Sequence, residues 1–100
     1  MLKTLSSKTL KYVHGTVVDW FGVDLADDQI QEIGRTDRDL WHDLEDDNFD
    51  TVARENFADA LCRYVLGSGH RWPRYSGTTP AEKFRGEFDR AARNKGIKVL

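Results

Sequence analysis

Eleven carboxylates fall between Asp24 and Asp50: Asp24, Asp27, Asp28, Glu32, Asp37, Asp39, Asp43, Glu45, Asp46, Asp47 and Asp50. Only Arg35 and Arg38 stand against them, so the stretch carries −9 in a chain of net charge −2. Like charge at this density works against compaction. Such a surface is a tolerated solvated face, a cation site, or a face kept for a positively charged partner. A calcium loop of the EF-hand kind needs oxygen ligands at loop positions 1, 3, 5, 7, 9 and 12 with glycine at 6. No window here meets that pattern. His42-Asp43 is a pair shared with metal phosphohydrolases, but the further ligand histidines have no counterpart. The spacing supports at most adventitious divalent-cation binding at Asp43–Asp47, and no cofactor or specific metal is expected.

Other residue types with chemical potential lead less far. Cys62 is the sole cysteine. It borders the apolar side of a helix, and His14, His42 and His70 lie in three other segments. A thiol without a partnering base is an inert packing residue, not a nucleophile. His14 falls on an apolar face and reads as a satisfied core histidine. Arg71, Trp72, Arg74 and Tyr75 share a loop and suit either stacking with phosphate contact or the anchoring of a protein interface. For Trp72 the plain alternative is packing against the bundle. Arg71 and Arg74, with His70 when protonated, make a small footprint for nucleic acid, and the −9 stretch would repel a duplex at long range.

These residues must be held by helices. The first is expected from Ser7 to Phe21, capped by Ser6 or Ser7, with Leu10, Val13, Val17, Trp20 and Phe21 as its stripe and Gly22 as its stop. A second is expected from Leu25 to Ile33, with Asp24 as cap and Gly34 as stop. A third runs from Asp37 to Asp47 behind a Thr36 cap, burying Leu40, Trp41 and Leu44. A fourth, the strongest stripe and the expected central helix, runs from Thr51 to Leu66 behind Asp50. A long loop, 67–79, then leads into a fifth helix at Thr79, where Thr79-Pro80-Ala81-Glu82 forms a capping box. Gly96 closes that helix, and Ile97–Leu100 is a tail that can pack back on the core. Nothing alternates long enough to argue a sheet. The expected architecture is all-α: one compact domain, 1–100, of about five short helices.

Placed on those helices, the acids take on direction. Asp28 and Glu32 fall on the outer face of the second helix. Asp39, Asp43 and Asp46 fall opposite the buried side of the third, each about one turn from the next. Four carboxylates at its C-terminal end (Asp43, Glu45, Asp46, Asp47) also oppose the helix dipole. A broken local rule tends to mark function. Carboxylates recurring about every 6 Å match the scale of phosphate spacing along a nucleic-acid strand. Such a row fits a groove lined with Lys and Arg, gaining on-rate by steering and charge-assisted hydrogen bonds. The halves of the chain differ in the same sense: residues 1–50 are −7 and residues 51–100 are +5. The unpaired cysteine, the lack of an apolar leader and the lack of a run near the ~20 apolar residues of a membrane span predict a soluble cytoplasmic protein.

The chain as a whole, opening MLKTLSSKTLKYVHGTVVDWFGVDLADDQI, resembles small phage-encoded anti-CRISPR proteins that inhibit the type I-F surveillance complex. The likeness lies in length, helical make-up and the acidic first half. It implies a stoichiometric, non-enzymatic inhibitor in the bacterial host cytoplasm. It implies docking at the junction of the large subunit and the adjacent backbone subunit, where target DNA would pair with the guide. The expected contact residues come from helical geometry: Asp28, Glu32, Asp39, Asp43, Asp46 and Asp47, with Arg71, Trp72, Arg74 and Tyr75 as a second contact. No direct nucleic acid and no membrane partner are expected, and self-association is open. The alternative is a small DNA-binding regulator using the basic second half.

Overall fold

A computed structural model describes residues 4–73 and 81–100. Arg74, Tyr75 and the Thr79-Pro80 part of the expected capping box lie outside the described residues. Among those described, the chain forms α1 (Ser7–Phe21), β1 (Val23–Asp24), α2 (Asp27–Arg35), α3 (Arg38–Glu45), α4 (Thr51–Leu66), α5 (Ala81–Asn94) and β2 (Lys98–Val99). The class is all-α, with one two-residue antiparallel ladder that pairs Val23 with Val99 and Asp24 with Lys98. No described helix is long and apolar enough to cross a membrane.

Where strong signals agree, sequence and structure coincide. Ser6 Oγ accepts the Thr9 amide at 3.2 Å and starts α1. Gly22, at φ 66°, ends it in the left-handed region that glycine enters without penalty. Asp50 Oδ1 accepts the Ala53 amide at 2.9 Å and starts α4. That helix packs against α2, α3 and α5. Ala53, Phe57, Ala60, Leu61 and Val65 are buried along it, as expected for the central element. At the end of α5 the Ile97 amide reaches the Ala92 carbonyl at 2.9 Å across left-handed Gly96. This is a Schellman closure, and it turns Ile97 into the core.

The second helix departs from expectation. Asp24 is not its cap, because Val23–Asp24 is extended against the C-terminal tail. Burial of Val23 and Leu25 on either side of Asp24 favours that extension. The cap is Ala26, whose amide donates to Gln29 Oε1 at 2.9 Å. Gly34 does not stop the helix. It lies inside α2, buried, where a Cβ would stand 2.9 Å from Leu44 Cδ1 and 3.1 Å from Trp41 Cε3. The missing side chain therefore serves close packing of α2 on α3. Asp37, not Thr36, caps α3 through Oδ1, accepting from Asp39 N at 2.9 Å and Leu40 N at 3.2 Å.

Gly34→Val is therefore expected to destabilise the fold by about 1–3 kcal/mol, the usual cost of forcing methyls into a packed contact. Denaturant unfolding measures this. Gly34→Ala should fall closer to neutral, since helix propensity returns up to about 1 kcal/mol against the tighter contact. Equal stability of the valine variant would show that α2 and α3 are not held at this point.

Candidate functional site

The α2–α3 layer carries the acidic surface. Ile30, Ile33 and Gly34 bury one side of α2, leaving Asp27, Asp28 and Glu32 exposed. Leu40, Trp41 and Leu44 bury one side of α3, leaving Asp39 and Glu45 exposed on it and Asp46 exposed just past its end. Close contact at Gly34 fixes the two helices against each other, so their charges share one rigid support. The Arg35 guanidinium lies 5.6 Å from the Trp41 ring centroid and covers the joint.

The expected row is not uniform. Asp28, Glu32, Asp39, Asp46 and Asp47 are exposed, while Asp43 is half-buried and its Oδ1 accepts from Asn48 Nδ2 at 3.3 Å. Asp47 has a left-handed backbone at φ 54° and accepts from Thr9 Oγ1 at 3.3 Å. That bond ties the α3–α4 turn to the start of α1. The α3 helix ends at Glu45, two residues before the expected Asp47, so Asp46 and Asp47 leave the last helical turn. This shortening relieves part of the conflict with the helix dipole that four C-terminal acids would create.

Among the described residues, the second-half arginines Arg71 and Arg85 form their ion pairs outside the row. Among the described residues, ion pairs within 4.0 Å include His14–Asp24, His42–Glu45, Arg71–Asp59 and Arg85–Asp89. None joins Asp28, Glu32, Asp39, Asp43, Asp46 or Asp47 to a lysine or arginine. Glu32 has a neutral partner, the Tyr64 hydroxyl at 3.0 Å. Burial, then the hydrogen bond and charge of Glu32, then the charge of Asp28, raise the Tyr64 phenol above its ordinary value. Tyr64 therefore stays a neutral donor that holds the Glu32 carboxylate in place.

The second expected contact is divided. Arg71 is exposed, its Nη2 3.9 Å from Asp59 Oδ2. Trp72 is part of the bundle: its ring meets Phe21, Phe84 and Phe88 edge-on at 5.0, 5.2 and 5.1 Å. Its plain packing role is therefore observed. The contacts of Arg71 and Trp72 are with α4, α1 and α5, not with the acidic layer.

His14 is corrected. It is half-exposed, not a core residue, and it pairs with Asp24. The buried stripe of α1 passes through Leu10, Val13, Val17 and Phe21, and His14 stands at its edge beside β1. One surface feature escaped the sequence reading. Tyr12, 59% exposed, packs on Phe49 with ring centroids 4.8 Å apart. Lys8, Lys11, Tyr12 and Asp47 line a shallow cavity of about 450 Å³ there. An aromatic on the polar side of α1, out of phase with the stripe, was the available signal.

Cys62 is 0% exposed, and burial, followed by the charge of Asp59, pushes its thiol up to about 11. The folded protein at pH 8 is expected to react with iodoacetamide orders of magnitude more slowly than the unfolded chain, whose thiol titrates near ~8.5. Mass spectrometry of timed samples reads this directly. Rapid alkylation without unfolding would place Cys62 in a reactive environment. Among the described residues no three of His, Cys, Asp and Glu converge as a metal-holding group.

No protein-family model, curated protein sequence or solved structure matches the chain.

Proposed function

We propose that the α2–α3 layer docks in a Lys- and Arg-lined groove of a nucleic-acid-handling assembly and occupies the seat of a phosphate backbone. The protein then inhibits by occupancy, not turnover. The type I-F CRISPR surveillance complex of a bacterial host, at its large subunit and adjacent backbone subunit, is the assembly the resemblance names. Such a complex holds its nucleic acid in a positively charged channel and reads target DNA by pairing with its guide. The observation that carries the proposal is the set of six carboxylates on or just beyond two interlocked helices, none bridged to a lysine or arginine among the described residues. Charge left open on a rigid support keeps its full attraction for an external cation, and little reorganisation is needed on docking.

The test uses the purified chain, the purified type I-F complex and labelled target DNA. Stoichiometric loss of DNA binding is expected when the chain is added first, with inhibition weakening steeply as salt rises. DNA binding that persists at large molar excess of the chain would reject this partner. Inhibition indifferent to salt would reject the acidic face as its cause.

A further inference from the structure

Tyr64 stands where acidic and cationic surface meet. On one side its hydroxyl holds Glu32 at 3.0 Å, with Asp28 one turn away on α2. On the other, Lys95 Nζ lies 5.2 Å from the Tyr64 ring centroid. Asp28, Glu32 and Lys95 are all exposed, and none has an ion-pair partner within 4.0 Å among the described residues. Arg90 and Arg93 on α5 and Lys98 on β2 are exposed as well. Tyr64 thus meets a carboxylate at its hydroxyl and an ammonium over its ring, and no ion pair within 4.0 Å joins the two.

A patch of one sign bordered by a patch of the other is self-complementary under a two-fold rotation. Turning a second copy over places acid on base twice, and closed two-fold pairs are the commonest homo-oligomers. Net charge is only −2, so little long-range repulsion opposes the approach. Tyr64 adds a half-buried aromatic at the centre of the seam, the residue type favoured at interface centres. We propose that two copies pair through this seam, with Asp28 and Glu32 of each against Lys95 of the other. Pairing covers part of the acidic row on α2. The single chain is then the form with the whole row open, so self-association regulates the surface assigned to docking. Only that last consequence rests on the proposed function; the pairing stands or falls by itself.

Light scattering and sedimentation of the chain alone test it. The expected mass is twice 11.5 kDa at ionic strength on the order of 10 mM, returning to 11.5 kDa near ~0.5 M salt. Glu32→Lys and Lys95→Glu should each give monomer. Mixing the two variants, or combining both substitutions in one chain, should restore the pair. Asp28→Lys provides a second acidic variant, and circular dichroism checks that each remains helical. A wild-type chain that stays monomeric at millimolar concentration in low salt overturns the pairing. So does a dimer unmoved by salt and by both swaps, or growth beyond two copies. A labelled single-stranded oligonucleotide that binds a monomeric chain and is lost with Lys95→Glu would assign the cationic side to nucleic acid and overturn it as well. If pairing fails while inhibition of the complex holds, the docking proposal survives alone; the reverse result leaves the dimer and removes its regulatory meaning.

Discussion

Leu61→Ala is expected to lower folding stability by about 2–5 kcal/mol, measured by denaturant unfolding with an unchanged slope. Leu61 is fully buried midway along α4, the helix against which α2, α3 and α5 all pack. Truncation removes the transfer free energy of the lost methyl groups and leaves a cavity between helices that relax only in part. A domain this size has about 5–15 kcal/mol in total, so the loss could reach half or more of it. Val52→Ala is the internal control. It lies on the same helix but is 61% exposed, and a change within about 0.5 kcal/mol is expected there. A near-zero effect at Leu61 would mean that α4 is not the organising element.

The correctness of α4 and the misplacement of α2 have one physical cause. In α4 the cap at Asp50, the stripe through Phe57 and Leu61 and the stop at Gly67 all agree, and local signals then suffice. In α2 they compete with long-range contacts. Asp24 is a favourable cap by type, yet pairing with Lys98, more than seventy residues later, draws it into an extended strand. Gly34 is a favourable stop by type, yet Trp41 and Leu44 need its vacant side and the helix runs on. Contacts distant in sequence leave no local mark, and a two-residue ladder shows no alternation. The hydrogen bond from Thr9 to Asp47 and the hold of Tyr64 on Glu32 were hidden for the same reason. The outward direction of Asp28, Glu32, Asp39 and Asp46 was legible because it follows from periodicity once Ile30, Ile33, Leu40, Trp41 and Leu44 are placed inside. Asp43 is half-buried, and Asp47, though exposed, bonds Thr9, a neighbour that the helical wheel does not contain.

Charge reversal on α3 gives the largest functional effect expected. Asp39→Lys with Asp43→Lys should abolish inhibition or capture of the basic partner. Truncating a charge paired across a desolvated interface costs about 2–5 kcal/mol, and reversal adds repulsion. Two such sites together amount to about three orders of magnitude in affinity or more. Stability should change far less. Asp39 lies in the first turn of α3, where a lysine loses about 0.3–1 kcal/mol of favourable dipole interaction. Asp43 gives up one exposed hydrogen bond from Asn48. Helical content by circular dichroism should remain. The matched control is Asp19→Lys with Glu87→Lys, exposed acids on α1 and α5 that shift total charge equally but lie off the row. Unchanged potency in the control and loss in the α3 variant would locate the effect on this surface. Equal loss in both would reduce it to net charge, and full activity in the α3 variant would remove the electrostatic basis of docking.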